Sequence, residues 1–189
     1  MKMASDRYIM FKPAPSNGGK YSIINAILVN AIFSGVLVPI ILLISDTVFT
    51  IICIIFICCL ISFFCIVVYG YYSMSYAVSA DRLILRWAFL KTIIPVDAIT
   101  IIGMPTSHKF DGHRTKGVGI PGHLFGAIKM RIDGSYKPVK LFSTDISKMV
   151  IITDKNEKYY GVTPASPAEF ISSVKQTAMD IIERAINTD

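Results

Sequence analysis

Three histidines and one aspartate, His108, Asp111, His113 and His123, fall within sixteen residues of one another and are the obvious candidates for acid–base or metal chemistry. Their spacing argues against it. Zinc sites use tighter paired spacings or an HExxH helix, and no nucleophile is paired with these residues, so solvent-facing histidines in a loop are expected. A hydrolase built on His108, Asp111 and His113 stays as a remote alternative that stoichiometric metal would revive. Between them runs Gly117-Val118-Gly119-Ile120-Pro121-Gly122, which matches G-x-G-x-x-G. A dinucleotide site needs that motif between a strand and a helix N-terminus. Here Pro121 interrupts it and a strand-like run follows at Phe125, so the glycines are read as permitting tight loop conformations, and no cofactor is expected. All four cysteines (Cys53, Cys58, Cys59, Cys65) lie in one apolar run with no His or carboxylate beside them, and read as soft apolar packing residues.

The basic residues carry more information. Residues 109–148 hold Lys109, Arg114, Lys116, Lys129, Arg131, Lys137, Lys140 and Lys148 against three aspartates. Such a patch suits anionic lipid beside a membrane or a simply solvated sheet face. Nucleic acid is disfavoured because no stacking aromatics are interleaved with the charges.

The elements that must hold these residues divide the chain sharply. Of 189 residues, 53% are hydrophobic and only 17% charged, and the excess is concentrated between Lys20 and Asp81, where Asp46 is the one charge. The runs 21–45 and 47–70 are each long enough to cross a hydrocarbon core of about 30 Å at 1.5 Å per residue. They are expected to form a two-helix transmembrane hairpin joined by a polar turn at Ser45-Asp46. Lys2, Arg7, Lys12 and Lys20 precede it, Arg82, Arg86 and Lys91 follow it, and the turn has no basic residue. The positive-inside rule therefore expects a multi-pass protein of the plasma membrane with both termini cytoplasmic. Tyr21, Tyr69, Tyr71 and Tyr72 would form the aromatic belt at that interface. Asn25, Asn30, Ser34 and the Ala31/Gly35 pair could pack against the second span or a partner helix.

Residues 1–20 are expected as a flexible cytoplasmic leader, because Lys12–Gly19 is rich in turn formers. From residue 73 the apolar period becomes two. Alternation at Leu83, Leu85, Trp87 and Phe89, and at Ile128, Met130 and Ile132, predicts half-buried strands. About seven are expected, near 73–80, 82–89, 91–95, 98–103, 124–132, 136–143 and 149–153, with 158–163 as a possible eighth and a long loop over 105–122. Asp133-Gly134 is the strongest hairpin signal. Ser166-Pro167-Ala168-Glu169 then opens an amphipathic helix over 167–187, expected to cover the open sheet of a domain spanning 73–189.

Three segments of this part, Arg114–Gly122 with Gly126, Leu141-Phe142-Ser143-Thr144, and Thr163–Ile171, resemble the bacterial pleckstrin-homology (PH)-like domain family. The resemblance spans about 73–180. It does not cover the hairpin or leader, and it implies a seven-stranded antiparallel barrel-like sandwich capped by a C-terminal helix, used for binding and not for catalysis. With the hairpin read from the apolar runs, the expected fold is an α+β membrane protein in which a two-helix transmembrane hairpin is followed by this PH-like domain. Eukaryotic members that hold phosphoinositides do so on a long basic first hairpin loop. That turn is here only Ala80-Asp81, so phosphoinositide recognition is not carried over. The expected function is a membrane-anchored binding or scaffold module that engages a membrane protein, a peptide or an anionic lipid headgroup. Its candidate residues are Arg114, Lys116, Gly117, Gly119, Pro121, Gly122, Lys129 and Arg131. The alternative is an accessory or immunity-type subunit that binds its partner through the spans.

Overall fold

The computed structural model describes residues 8–43, 47–104, 112–120, 123–132, 134–145 and 148–186. The expected turn at Ser45-Asp46 therefore lies outside the described residues. A short strand β1 (Ile9–Phe11) leads into two long helices, α1 (Gly18–Leu43) and α2 (Thr47–Ser73). Both are long and apolar enough to cross a membrane over Lys20–Ile40 and Thr47–Ser73. After them come β2 (Ser75–Val78), β3 (Arg82–Trp87), β4 (Leu90–Pro95), a 3-10 turn (Val96–Ala98) and β5 (Ile99–Gly103). The chain continues through β6 (Gly112–Ile120), β7 (His123–Ile132), β8 (Ser135–Ser143), β9 (Val150–Asp154) and β10 (Tyr159–Val162), and closes with α3 (Pro167–Ile186).

The strands form two sheets, ordered β1-β2-β3-β4 and β5-β9-β10-β8-β7-β6. This corrects the expected set of about seven antiparallel strands in two respects. The described residues hold ten strands, and β10 runs parallel to β8, with Tyr160 opposite Lys140 and Val162 opposite Phe142. The hairpin signal at residues 133–134 does close β7 onto β8, with Ile132 opposite Ser135 and Gly134 at a φ of +80° that suits glycine.

Two cores follow from the pleat. Successive side chains of a strand point to opposite faces, so Phe142 and Ile152 enter one core while their neighbours Leu141 and Ile151 enter the other. The first core gathers Tyr76, Leu83, Leu85, Trp87, Val162 and, from α3, Phe170 and Val174. Burial of side chains of this size contributes roughly 1.5–3 kcal/mol each, which holds α3 against the sheets. Phe170 also meets Phe11 of β1 edge-on, with ring centroids 5.2 Å apart.

That contact is part of a second departure from expectation. The part of the leader that is described, from residue 8, is tied into the domain: β1 pairs antiparallel with β2, placing Phe11 opposite Tyr76. Beyond it the Ala14 amide donates to the Thr163 carbonyl at 2.6 Å and the Ala165 amide donates to the Lys12 carbonyl at 2.9 Å. The turn formers of residues 12–17 form no helix, although Gly18 and Gly19, also expected outside a helix, already open α1; extended backbone can still pair, and here it does.

The two helices are fastened to the domain at one end. The Tyr71 hydroxyl of α2 donates to the Ser16 carbonyl ahead of α1 at 2.8 Å. Gly70 lies under Trp87 so closely that a Cβ there would overlap the indole, and the Ser73 hydroxyl accepts the Ala88 amide at 2.9 Å. Helix end and domain are thus packed into each other rather than joined by a linker.

Candidate functional site

The basic candidates lie on the β6–β7–β8 part of the larger sheet. Directly opposed residues share a face, so the register sorts them into rows. Lys116, Ala127 and Lys140 stand opposite one another, next come His113, Lys129 and Pro138, and then Arg131 with Tyr136. Lys129, Arg131 and Lys140 are exposed. Their neighbours Ile128 and Met130 belong to the second core, which is why the charges alternate along β7. Lys140 is also held in place: its Nζ donates to Thr92 Oγ1 of β4 at 2.8 Å and lies 5.5 Å from the centroid of the Phe142 ring. Arg114 comes opposite Ile128, because the register shifts by one residue between Arg114 and Lys116. The two residues are therefore in different rows.

The region read as a loop over 105–122 is in part a strand. Residues 112–120 pair with β7, which puts His113 on β6 and His123 on β7 instead of in a shared loop. Gly117 stands opposite Gly126, whose φ is +138°, and Gly119 stands opposite Leu124. Gly117 and Gly119 thus lie on a strand, and the next described element is the strand β7 and not the helix whose N-terminus receives the pyrophosphate in a dinucleotide site of this pattern. Pro121, Gly122, His108, Lys109 and Asp111 lie outside the described residues. Among the described residues, no three His, Cys, Asp or Glu side chains gather as a metal ion requires.

A buried polar network was missed by sequence reasoning. The Tyr76 hydroxyl donates to the Phe142 carbonyl at 2.6 Å and accepts the Thr163 amide at 3.3 Å. Thr144 Oγ1 donates to the Ala14 carbonyl at 2.7 Å, and the Thr144 amide donates to Thr163 Oγ1 at 2.8 Å. Burial pushes the Tyr76 hydroxyl up to about 12, against the smaller opposing effect of its Thr163 hydrogen bonds. Unlike a catalytic tyrosine, it has no access to solvent or substrate, and its role is to lock four chain segments together. On the surface, Arg82 holds the Asp81 carboxyl below its ordinary value through paired hydrogen bonds of 2.8 and 2.7 Å. That ion pair closes the short β2–β3 turn.

Two cavities accompany these features. One of about 300 Å³ lies between β5 and α3, lined by Thr100, Ile102, Val174, Lys175 and Ala178 among others. The second, of about 580 Å³, is a largely apolar groove between α1 and α2 whose lining includes Asn30, Tyr69 and Tyr72; the Asn30 side chain is its one amide. That amide is already bonded to the Ala26 carbonyl of its own helix at 2.7 Å.

Two sheets with a C-terminal helix packed on their shared core, exposed cations on β7 and β8 further along the sheet face that forms that core, and buried polar groups given over to packing, define a PH-like domain. The chain belongs to the bacterial PH domain family, whose model matches residues 74–178. PH domains are generally non-catalytic binding modules, and this supports a binding or scaffold role. Comparison with curated proteins finds no match, and neither does comparison with solved structures.

Proposed function

We propose that this chain is a membrane-anchored binding module: α1 and α2 cross the plasma membrane, and the domain recognises an acidic segment of a membrane-resident protein or peptide through the face bearing Lys116, Lys129, Arg131 and Lys140. The observation that carries this reading is the exposed pair Lys129 and Arg131 on β7, backed by the fixed ammonium of Lys140. For Lys129 and Arg131, the cations furthest along β7 from Phe125, a protein partner is favoured over lipid headgroups by distance, whereas Lys116 and Lys140 stand opposite Ala127, only two positions from Phe125. Phe125, stacked 4.0 Å from Trp87, stands at the end of β7 that adjoins α2, and Arg131 is six residues further on. At about 3.3 Å per residue that is up to roughly 20 Å, about twice the Debye length in physiological salt. Tethering raises the effective concentration of a partner in the same membrane, so modest affinity suffices.

The test is photo-crosslinking from position 136, opposite Arg131 on β8, in native membranes. One recurrent protein is expected in the parent chain. With Lys129→Glu and Arg131→Glu together its capture should fall at least about tenfold, because each charge-assisted hydrogen bond is worth roughly 1.5–3 kcal/mol. Unchanged capture would remove these residues from the site, and capture of anionic lipid alone would replace the protein partner with headgroups.

A second reading, in which the spans themselves bind the partner, has one observation in its favour. Ala31 is exposed and a Cβ on Gly35 would meet nothing within 4 Å, so this small-residue pair is not used between α1 and α2.

A further inference from the structure

We propose that the β3–β4 turn, Trp87–Leu90, is a membrane-inserting wedge that seats the domain in the lipid interface. The inference rests on the reading of α1 and α2 as membrane spans and goes beyond it, since a tethered domain need not touch the bilayer at all. Three contacts fix the turn to α2. Trp87 lies over Gly70, the Ala88 amide donates to Ser73 Oγ at 2.9 Å, and the Phe89 ring stacks on Tyr69 at 5.2 Å between centroids. Ser73 is the last residue of α2 and Tyr69 lies four residues earlier, so Phe89 sits about 6 Å inside the helix end, at 1.5 Å per residue. Its depth is set by geometry and does not depend on where the rest of the domain points.

The turn's chemistry matches that depth. Trp87 is 5% exposed, whereas Phe89 is 79% exposed and Leu90 53%. Two large apolar side chains are therefore turned away from the core, Phe89 stacked on Tyr69, which with Tyr72 belongs to the interfacial aromatic belt. Directly behind them Arg86 stands opposite Lys91, both exposed. One strand position behind inserted aromatics is where cations meet anionic headgroups. Ala88 has a φ of 48°, a conformation a non-glycine residue adopts at a cost, and with it the two-residue turn projects Phe89 toward α2. The occupant of this surface is thus the lipid interface itself, continuous with the spans.

The test uses the full chain in phosphatidylcholine–phosphatidylglycerol vesicles carrying bromines on shallow acyl carbons, which quench nearby indoles. Three variants retain the native Trp87 and add one tryptophan each: Phe89→Trp, Tyr69→Trp as the depth reference, and Ile93→Trp, an exposed position beyond Lys91 on β4. All three replaced side chains are exposed or half-exposed, so folding is not at stake. Bromolipid should remove most of the added emission from Phe89→Trp and Tyr69→Trp alike and leave Ile93→Trp bright. If Tyr69→Trp is quenched and Phe89→Trp is not, the wedge is wrong and the spans stand. If neither is quenched, the membrane reading falls and the wedge with it. Equal quenching of Ile93→Trp would overturn the restriction to the turn and lay the whole of β4 on the bilayer.

Discussion

Tyr76 joins β2, β8, the segment before α3 and, through Thr163 and Thr144, the leader, with one phenol that has no solvent exposure. Its ionisation is consequently coupled to folding. The folded-state pKa is about 12 and the ordinary value 10.0. Below pH 10 the phenol is neutral in both states and the contribution is complete. Between pH 10 and about 12 the unfolded chain releases the proton and the folded chain keeps it, so stability falls as pH rises, by about 3 kcal/mol over the interval. In Tyr76→Phe this share of the decline should vanish, and a loss of roughly 1–3 kcal/mol should appear at neutral pH, because the Phe142 carbonyl and Thr163 amide lose their partner. Urea unfolding of both proteins in micelles across that range checks it; parallel pH profiles would count against the assignment. Nothing in the sequence singles out Tyr76 from the other tyrosines, since its partners lie 66 and 87 residues away. Alternation shows that a residue faces inward without showing which carbonyl awaits it.

Elements were legible where their apolar period was intact. Leu83–Trp87 and Ile128–Ile132 alternate and are strands, and the helix beginning at Pro167 follows its amphipathic stripe. The two strands that escaped detection lack that signal. In β6, GHRTKGVGI offers only Val118 and Ile120 as apolar residues among three glycines, and its structure comes from pairing with β7. In β1, three residues are too short for any period. Parallel pairing of β10 with β8 is likewise a non-local outcome. The junction of α2 with β3 is the least legible feature, because Gly70 looks like one more small residue at a helix end. It is where the indole of Trp87 must fit. Gly70→Ala should therefore displace Trp87 and destabilise the domain by roughly 1–3 kcal/mol, the range for overpacking a filled site. Gly161→Ala meets the ends of the Leu141 and Met149 side chains, which can yield, and should cost less. A red shift of Trp87 emission in Gly70→Ala and its absence in Gly161→Ala would separate the two; an unshifted spectrum in both would show that the contact is slack.

At the scale of the whole molecule, hairpin and domain do not divide where the composition changes. The ends of the two long helices nearest the domain belong to its packing through Tyr71 with Ser16, Ser73 with Ala88 and Gly70 with Trp87. Both helices are thereby fixed to the domain at the same end, where the flanking basic residues also lie. Under the proposed reading of both helices as spans, leader and domain lie on one side of the membrane, the side the charge pattern expects to be the cytoplasm. This sets the terms for deciding which part of the molecule binds. Exchanging the hairpin at residues 20 and 73 would remove Gly70 and Tyr71 and injure the domain, so lost binding would be ambiguous. Exchanging only residues 23–66 for an unrelated two-span hairpin leaves every one of those contacts in place. If the β7 face is the binding surface, crosslinking from position 136 should survive that exchange and still disappear with Lys129→Glu and Arg131→Glu. Loss of capture in the exchanged protein, with Trp87 emission unchanged, would move the site to the spans and the open Ala31/Gly35 pair of α1.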